Sequence, residues 1–112
     1  MSYEEISVTD LKRRLDSGLV GAQLVDVREV SELAASKLEG AVNLPLSQFQ
    51  EWSGRLEEYL DPALETLVLC HHGMRSAQMC GYLLQRGFEN VKNVSGGIDA
   101  YALHADPRVP RY

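Results

Sequence analysis

The chain has 112 residues, which fits one domain spanning residues 1–112 around a single hydrophobic core. Hydrophobic residues make up 45% of it, which excludes wholesale disorder, and the net charge of −5 gives no sign of the basic surface of a nucleic-acid-binding protein. No apolar run is long enough to span a bilayer, and the acidic first residues are unlike a signal peptide. We therefore expect a soluble cytoplasmic protein without membrane or nucleic-acid partners.

Segments with the apolar pattern of strands alternate with segments of helical spacing along the chain. The predicted strands, in chain order, are residues 6–8, 24–27, 41–44, 66–69 and 88–94. The predicted helices lie between the cap Thr9 and the stop Gly18, and over residues 31–36, 49–60, 76–86 and 98–104. This alternation predicts an α/β domain with a mainly parallel sheet of about five strands and helices on both faces. An irregular tail is expected from about residue 105, because the sequence beyond it lacks periodicity and contains two prolines.

The predicted strand over residues 66–69 leads into a loop that begins with Cys70. The amino end of the following helix is electropositive and offers unpaired N–H groups, which favours the thiolate form of a nearby cysteine. Ligands of parallel sheets bind at the carboxyl ends of the strands, where Cys70 and the segment 26–28 both fall. Cys70 is therefore the candidate nucleophile.

The second cysteine, Cys80, lies more than one turn inside the predicted helix. A disulfide between it and Cys70 would be difficult to close, because the two Cα atoms must come within about 7 Å. Two cysteines in a chain of this size do not make a disulfide framework. We interpret Cys80 as a small apolar helix residue, with a resolving thiol as the alternative.

Two adjacent histidines, His71 and His72, follow the candidate nucleophile. Adjacent side chains usually point in different directions, and the run lacks recognised zinc spacing, so no metal site is expected. We expect both histidines to line the mouth of the pocket, where their charge can change near neutral pH. Met74 is either part of the pocket wall or a plain loop hydrophobe.

Four segments of the chain together resemble the motifs of the rhodanese-like (sulfurtransferase) family. They occur in the family's order and spacing, the resemblance covers residues 8–101, and the segments are residues 24–29, 40–45, 70–76 and 94–98. Two departures are visible: residues 36–39 replace the usual Gly-His-Ile, and Tyr101 stands roughly where a tryptophan is common. Both lie outside the catalytic loop, so they concern packing and the partner surface.

The resemblance implies a sulfurtransferase that acts through a persulfide on Cys70. Sulfane sulfur would move from a donor such as thiosulfate or a persulfide to a thiophilic acceptor, cyanide in vitro or a cellular thiol. No cofactor is required, and a protein persulfide is a further candidate partner. Gly73 would give the loop conformational freedom, and Arg75 would offer a fork for an oxyanion of the donor. The residues assigned to the sulfur-binding loop are His71, His72, Gly73, Met74, Arg75 and Ser76.

Four residues outside this loop are predicted to support it. Asp26 and Arg28 should pair with each other, because ionisable groups at the end of a buried strand need partners. Their expected role is to brace the loop from the neighbouring strand, with direct substrate contact as the alternative. Gly96 and Gly97 are predicted to form a tight strand-to-helix turn near the site.

Two other function classes remain open from the sequence. One is a non-catalytic or sulfur-relay binding module, although inactive members of the family typically lack the thiol that Cys70 supplies. The other is a cysteine phosphatase or arsenate reductase, which uses a similar thiolate and arginine. Phosphatase loops place five residues between these two groups, whereas only four separate Cys70 from Arg75. The shorter loop suits a sulfur atom better than a phosphoryl group.

Overall fold

Five strands form one sheet at the centre of the part of the molecule that the structure describes. The structure is a computed structural model and describes residues 2–112. The strands are β1 (Glu4–Ile6), β2 (Ala22–Asp26), β3 (Val42–Asn43), β4 (Glu65–Leu69) and β5 (Val91–Val94). Their spatial order is β1-β5-β4-β2-β3, and every neighbouring pair is parallel. The predicted α/β class is confirmed, and the sheet is wholly rather than mainly parallel.

Helices connect the strands and cover the sheet. They are α1 (Val8–Asp16), α2 (Val30–Ala35), α3 (Phe49–Trp52), α4 (Leu56–Tyr59), α5 (Met74–Gln85) and α6 (Gly97–Ala100). Short 3₁₀ turns at Leu46–Gln48 and Ser53–Arg55 flank α3, and a π-helical segment, Tyr101–Ala105, continues α6. Among the described residues, no helix has the length and apolar character needed to cross a membrane.

Alternate residues of β4 enter two separate cores. Val68 packs in the core that includes residues of α3, α4 and α5, together with Cys70. Leu67 and Leu69 pack in the core that includes residues of α1 and α6. Successive strand residues point to opposite faces, so a parallel sheet covered on both sides has strands that are apolar throughout. This arrangement confirms the prediction of helices on both faces.

The helix after β1 and the helix predicted over residues 49–60 differ from those observed. Ser7 rather than Thr9 caps α1, because the Ser7 hydroxyl accepts a hydrogen bond from the Asp10 main-chain N–H at 3.1 Å. The first strand consequently ends at Ile6. The single helix predicted over residues 49–60 is interrupted by the 3₁₀ turn that contains Gly54. A glycine inside a helix costs about 1 kcal/mol relative to alanine, so this is a favourable place for the interruption.

Tyr101 and Leu38, which belong to the two departures from the family pattern, are both buried in the core that includes residues of α1 and α6. Tyr101 begins the π-helical segment, and its ring packs with apolar residues of that core. The departures therefore affect packing on this side of the sheet.

Candidate active site

The predicted site residues meet at the carboxyl edge of the sheet. The main-chain N–H of Val27 donates to the Leu69 carbonyl at 3.0 Å, which joins the end of β2 to the end of β4. The N–H of Ile98 donates to the Cys70 carbonyl at 2.9 Å, and that of Asp99 donates to the His71 carbonyl at 3.1 Å. The start of α6 is therefore bonded directly to the loop that follows β4.

The sulfur of Cys70 lies beside the amino end of α5, and only 1% of the residue is exposed. The main-chain N–H of Gly73 donates to Sγ at 3.0 Å, and the Ser76 hydroxyl lies 3.2 Å from Sγ. N–H donors and the positive end of a helix both stabilise negative charge. The surroundings of Cys70 are therefore suited to a thiolate or a persulfide anion.

The loop after Cys70 is shorter than predicted. Helix α5 begins at Met74 rather than Ser76, so both residues and Arg75 lie in its first turn. Gly73 precedes the helix with φ of 106°, a left-handed conformation that glycine adopts at little cost, and this permits the early turn. Met74 is 81% exposed on this turn, and its assignment to the sulfur-binding loop stays a prediction.

The hydroxyl of Ser76 has two acceptors within reach. One is Cys70 Sγ, and the other is the side-chain oxygen of Asn93, which is buried in β5. A hydroxyl has one proton to donate, so it serves one of these acceptors at a time. The amide nitrogen of Asn93 donates to the Gly73 carbonyl at 3.1 Å, which also ties β5 to the loop. Asn93 is absent from the predicted site, although a polar residue near the carboxyl end of a predicted strand is a signal for it.

The guanidinium of Arg75 forms an ion pair that the sequence analysis missed. Its two terminal nitrogens donate to the Glu32 carboxylate at 2.6 and 2.9 Å. The Tyr112 hydroxyl donates to the same carboxylate at 2.7 Å. A carboxylate from α2 therefore already occupies two of the donors of Arg75, and the predicted role of this residue as a fork for an oxyanion stays a prediction.

Asp26 and Arg28 form the ion pair that the sequence analysis predicted. The Nε and Nη2 groups of Arg28 donate to the Asp26 carboxylate at 3.0 and 2.7 Å. Arg28 is 0% exposed and Asp26 is 1% exposed. Nη1 of Arg28 donates to the Tyr112 hydroxyl at 2.9 Å. The pair thus connects the end of β2 to the C-terminal segment. Its function as a brace for the loop stays a prediction.

The prediction that His71 and His72 point apart is wrong, because their rings stack with centroids 3.9 Å apart. The Tyr112 ring also stacks on His71 at 3.9 Å, and a main-chain oxygen of Tyr112 lies 2.9 Å from His71 Nε2. The ligand atoms of His71, His72 and Asp99 all lie within 4.8 Å of one another. Imidazole and carboxylate are ligands that zinc accepts. The carboxylate of Asp99, however, already accepts a hydrogen bond from Arg111 Nε at 2.9 Å.

Gly96 lies in the turn between β5 and α6, and Gly97 begins α6 next to the loop that follows Cys70. A Cβ atom at position 97 would lie 2.5 Å from the Cys70 carbonyl oxygen and 2.4 Å from the His71 carbonyl oxygen. Gly97 also has φ of 63°. The close approach of α6 to the loop therefore requires glycine at this position.

Cys80 is expected to be unreactive in the folded protein. It is buried in the core, and burial raises the pKa of its thiol to about 12. Because the thiolate is the reactive form, we expect no labelling of Cys80 by iodoacetamide between about pH 6 and 9. Peptide mapping after labelling in buffer and in denaturant measures this, with the denatured sample as the control. Equal labelling rates in the two samples would support the alternative of a resolving thiol.

The ion pair between Glu32 and Arg75 predicts a pH dependence of stability. The hydrogen bonds from Arg75 lower the pKa of Glu32 to about 2, from an ordinary value of 4.5. Because the folded-state pKa is the lower one, this contribution is complete above about pH 5 and is lost as the pH falls toward 2. We expect Glu32→Gln to lower the free energy of unfolding by about 1–2 kcal/mol at pH 7, allowing for solvent screening of a partly exposed pair.

Urea unfolding at a series of pH values between 7 and about 2.5 measures this effect. The difference between the wild type and Glu32→Gln should shrink steadily as the pH falls below about 5. Glu89→Gln is a matched control, because Glu89 is exposed between α5 and β5, away from the site. A Glu32→Gln effect that is constant with pH would show that the pair contributes little.

Comparison with known proteins identifies the family. The family model for the rhodanese-like domain matches residues 7–104. The putative sulfurtransferase YtwF of Bacillus subtilis is 34% identical over 108 residues, an alignment that covers 96% of this chain and 99% of the relative. The rhodanese-like/PpiC domain-containing protein 12, chloroplastic, of Arabidopsis thaliana is 39% identical over 111 residues, with 97% of this chain and 37% of that protein covered. The chain thus spans little more than a third of this second relative.

A solved structure of a rhodanese-related protein has a similar fold. The rhodanese-related protein of Thermoplasma volcanium is 29% identical, with a TM-score of 0.75, and the match covers 92% of this chain and 94% of that chain. Relatives that are 31–34% identical carry the names sulfurtransferase, thiosulfate sulfurtransferase and putative sulfur carrier protein, and these names support a rhodanese-type sulfur-transfer role. This chain belongs to the rhodanese-like domain family.

Proposed function

We propose that this protein is a sulfurtransferase that carries sulfane sulfur as a persulfide on Cys70. The donor would be thiosulfate or a persulfide, and the acceptor a cellular thiol or, in vitro, cyanide. One observation carries the proposal: Cys70 Sγ lies at the amino end of α5 with the Gly73 N–H at 3.0 Å and the Ser76 hydroxyl at 3.2 Å. These groups can stabilise both a thiolate and the persulfide anion that replaces it.

In the first step, the Cys70 thiolate attacks the outer sulfur of the donor. A new S–S bond forms, the donor's bond to that sulfur breaks, and its electron pair leaves with the remainder, which is sulfite when the donor is thiosulfate. In the second step, a nucleophilic acceptor attacks the outer sulfur of the persulfide and restores the Cys70 thiolate. Charge and electrons balance in both steps, so the reaction requires only the donor, the acceptor and this thiol.

Two features weigh against a phosphatase or arsenate reductase. Only four residues separate Cys70 from Arg75, which leaves a small loop. The guanidinium that would bind a phosphate already donates to Glu32 through both terminal nitrogens. A sulfur-relay module uses the same persulfide and differs only in passing its sulfur to a protein partner, so turnover with a small acceptor separates it from an enzyme.

The intact mass of the reduced protein after incubation with a sulfur donor tests the proposal. We expect a gain of one sulfur, about 32 Da, which cyanide removes. Cys70→Ser should gain nothing, whereas the control Cys80→Ser should load like the wild type. Thiosulfate and the persulfide of a small neutral thiol are tested separately. Failure of both donors to load the wild type would overturn the proposal.

Steady-state thiocyanate formation extends this test to catalysis. Repeated turnover with cyanide would support an enzyme. A single stoichiometric release without turnover would overturn the catalytic part of the proposal and favour the relay module instead.

A further inference from the structure

One cation, Arg75, belongs to the first turn of α5, the same turn from which Ser76 contacts the sulfur of Cys70. Arg75 immediately precedes Ser76, whose hydroxyl is 3.2 Å from Cys70 Sγ. The pKa of Arg75 is raised mainly by its hydrogen bonds to Glu32, and the charge of Cys70 adds to this effect. The Arg75 side chain is 36% exposed, so it can meet a donor that arrives from solvent.

The carboxylate that neutralises this cation is held firmly in place. Glu32 accepts two hydrogen bonds from Arg75, one from the Tyr112 hydroxyl and one from the main-chain N–H of Glu29. Its side chain is 18% exposed. Two of these donors belong to α5, one to Tyr112 and one to the N-cap of the helix that contains Glu32, so the carboxylate cannot turn away without losing several of these bonds. A donor that reaches Arg75 therefore meets the negative charge of Glu32 as well.

The other arginines at this edge of the sheet are also matched by carboxylates. Arg28 pairs with Asp26, and Arg111 pairs with Asp99, which His72 also approaches at 3.8 Å. The positive potential that these arginines would supply to a doubly charged anion is therefore largely cancelled. Thiosulfate carries two negative charges, so it gains less from such a site than a donor with one charge or none.

We propose that Glu32 is a specificity-determining residue that cancels the charge of Arg75, so that Cys70 accepts sulfur preferentially from donors with at most one negative charge. The inference rests on the proposed sulfur transfer and specifies its substrate class. It makes Glu32 a residue that selects donors by charge, beyond its contribution to stability.

Two donors that differ by one charge test the proposal. Thiosulfate is a dianion, and methanethiosulfonate is the monoanion in which a methyl group replaces one oxygen. The measurement is kcat/KM for sulfur transfer to cyanide with each donor. We expect Glu32→Gln to raise the value for thiosulfate about tenfold relative to that for methanethiosulfonate, because the variant leaves the charge of Arg75 uncancelled. The change in the ratio is the readout, so the intrinsic reactivities of the two donors cancel.

Three further variants make the test specific. Glu32→Asp keeps the charge and should keep the wild-type ratio. Glu89→Gln removes a charge of the same sign at an exposed position between α5 and β5, and it should also keep that ratio. Arg75→Gln leaves Glu32 uncompensated, so the ratio should move about tenfold in the opposite direction, against thiosulfate. This last variant tests the proposal even where Glu32→Gln folds poorly.

An unchanged ratio in folded Glu32→Gln and Arg75→Gln would overturn the inference, and so would an equal shift in Glu89→Gln. An equal loss of kcat/KM for both donors in Glu32→Gln and in Glu32→Asp would also overturn the inference, because it would indicate a purely structural role for Glu32. These outcomes differ from failure of the proposed function, in which the wild type itself would take sulfur from neither donor.

Discussion

Arg28→Met is expected to lower the free energy of unfolding by about 3–5 kcal/mol. Arg28 and Asp26 are 0% and 1% exposed, and the guanidinium supplies three of the hydrogen bonds that the Asp26 carboxylate accepts. Methionine fills much of the same space but leaves that carboxylate buried with only a main-chain donor from position 28. An uncompensated buried charge is far more costly than the loss of a surface ion pair.

Urea unfolding of the wild type and three variants measures this effect. The double variant Asp26→Leu/Arg28→Met removes both charges and should recover most of the lost stability. Arg13→Met removes one partner of an exposed pair with Asp10 and should cost less than about 1 kcal/mol. If Arg28→Met cost no more than Arg13→Met, the buried pair would not be the brace that we predict.

Gly97→Ala is expected to destabilise the protein by about 2–4 kcal/mol and to abolish sulfur loading of Cys70. The added Cβ would lie 2.4 Å from the His71 carbonyl oxygen and 2.5 Å from that of Cys70. These are main-chain atoms, so the clash cannot be relieved by turning a side chain, and the catalytic loop itself must move. The φ of 63° at position 97 adds strain for any residue with a Cβ.

Gly81→Ala is the matched control for this substitution. Gly81 lies inside α5, and a Cβ there would have no neighbour within 4 Å. Because alanine favours helix more than glycine does, this variant should gain about 0.5–1 kcal/mol and load sulfur normally. Thermal unfolding and intact mass after donor treatment measure both properties. Equal behaviour of the two variants would contradict the close approach of α6 to the loop.

The local pattern of the sequence was sufficient to predict the class of fold and to indicate Cys70 as the proposed nucleophile. The largely apolar segments 24–27 and 66–69 mark buried strands, because the apolar residues of each segment pack in cores on both faces of the sheet. Cys70 then follows a strand and precedes a helix, an arrangement that neighbouring residues determine. Helix ends were less predictable, since Ser7 and Thr9 are both good caps and tertiary contacts choose between them.

Only the tertiary structure decided which side chains surround that thiol. Glu32 is 43 residues from Arg75 and 80 residues from Tyr112, yet the three share one hydrogen-bonded cluster. Periodicity reports which face of an element is buried, and it contains no information about which distant carboxylate neutralises a given arginine. The stacking of His71 on Tyr112, 41 residues away, has the same origin. The sequence thus determined the position and the scaffold of the proposed nucleophile, Cys70, whereas long-range packing determined the charge of its surroundings.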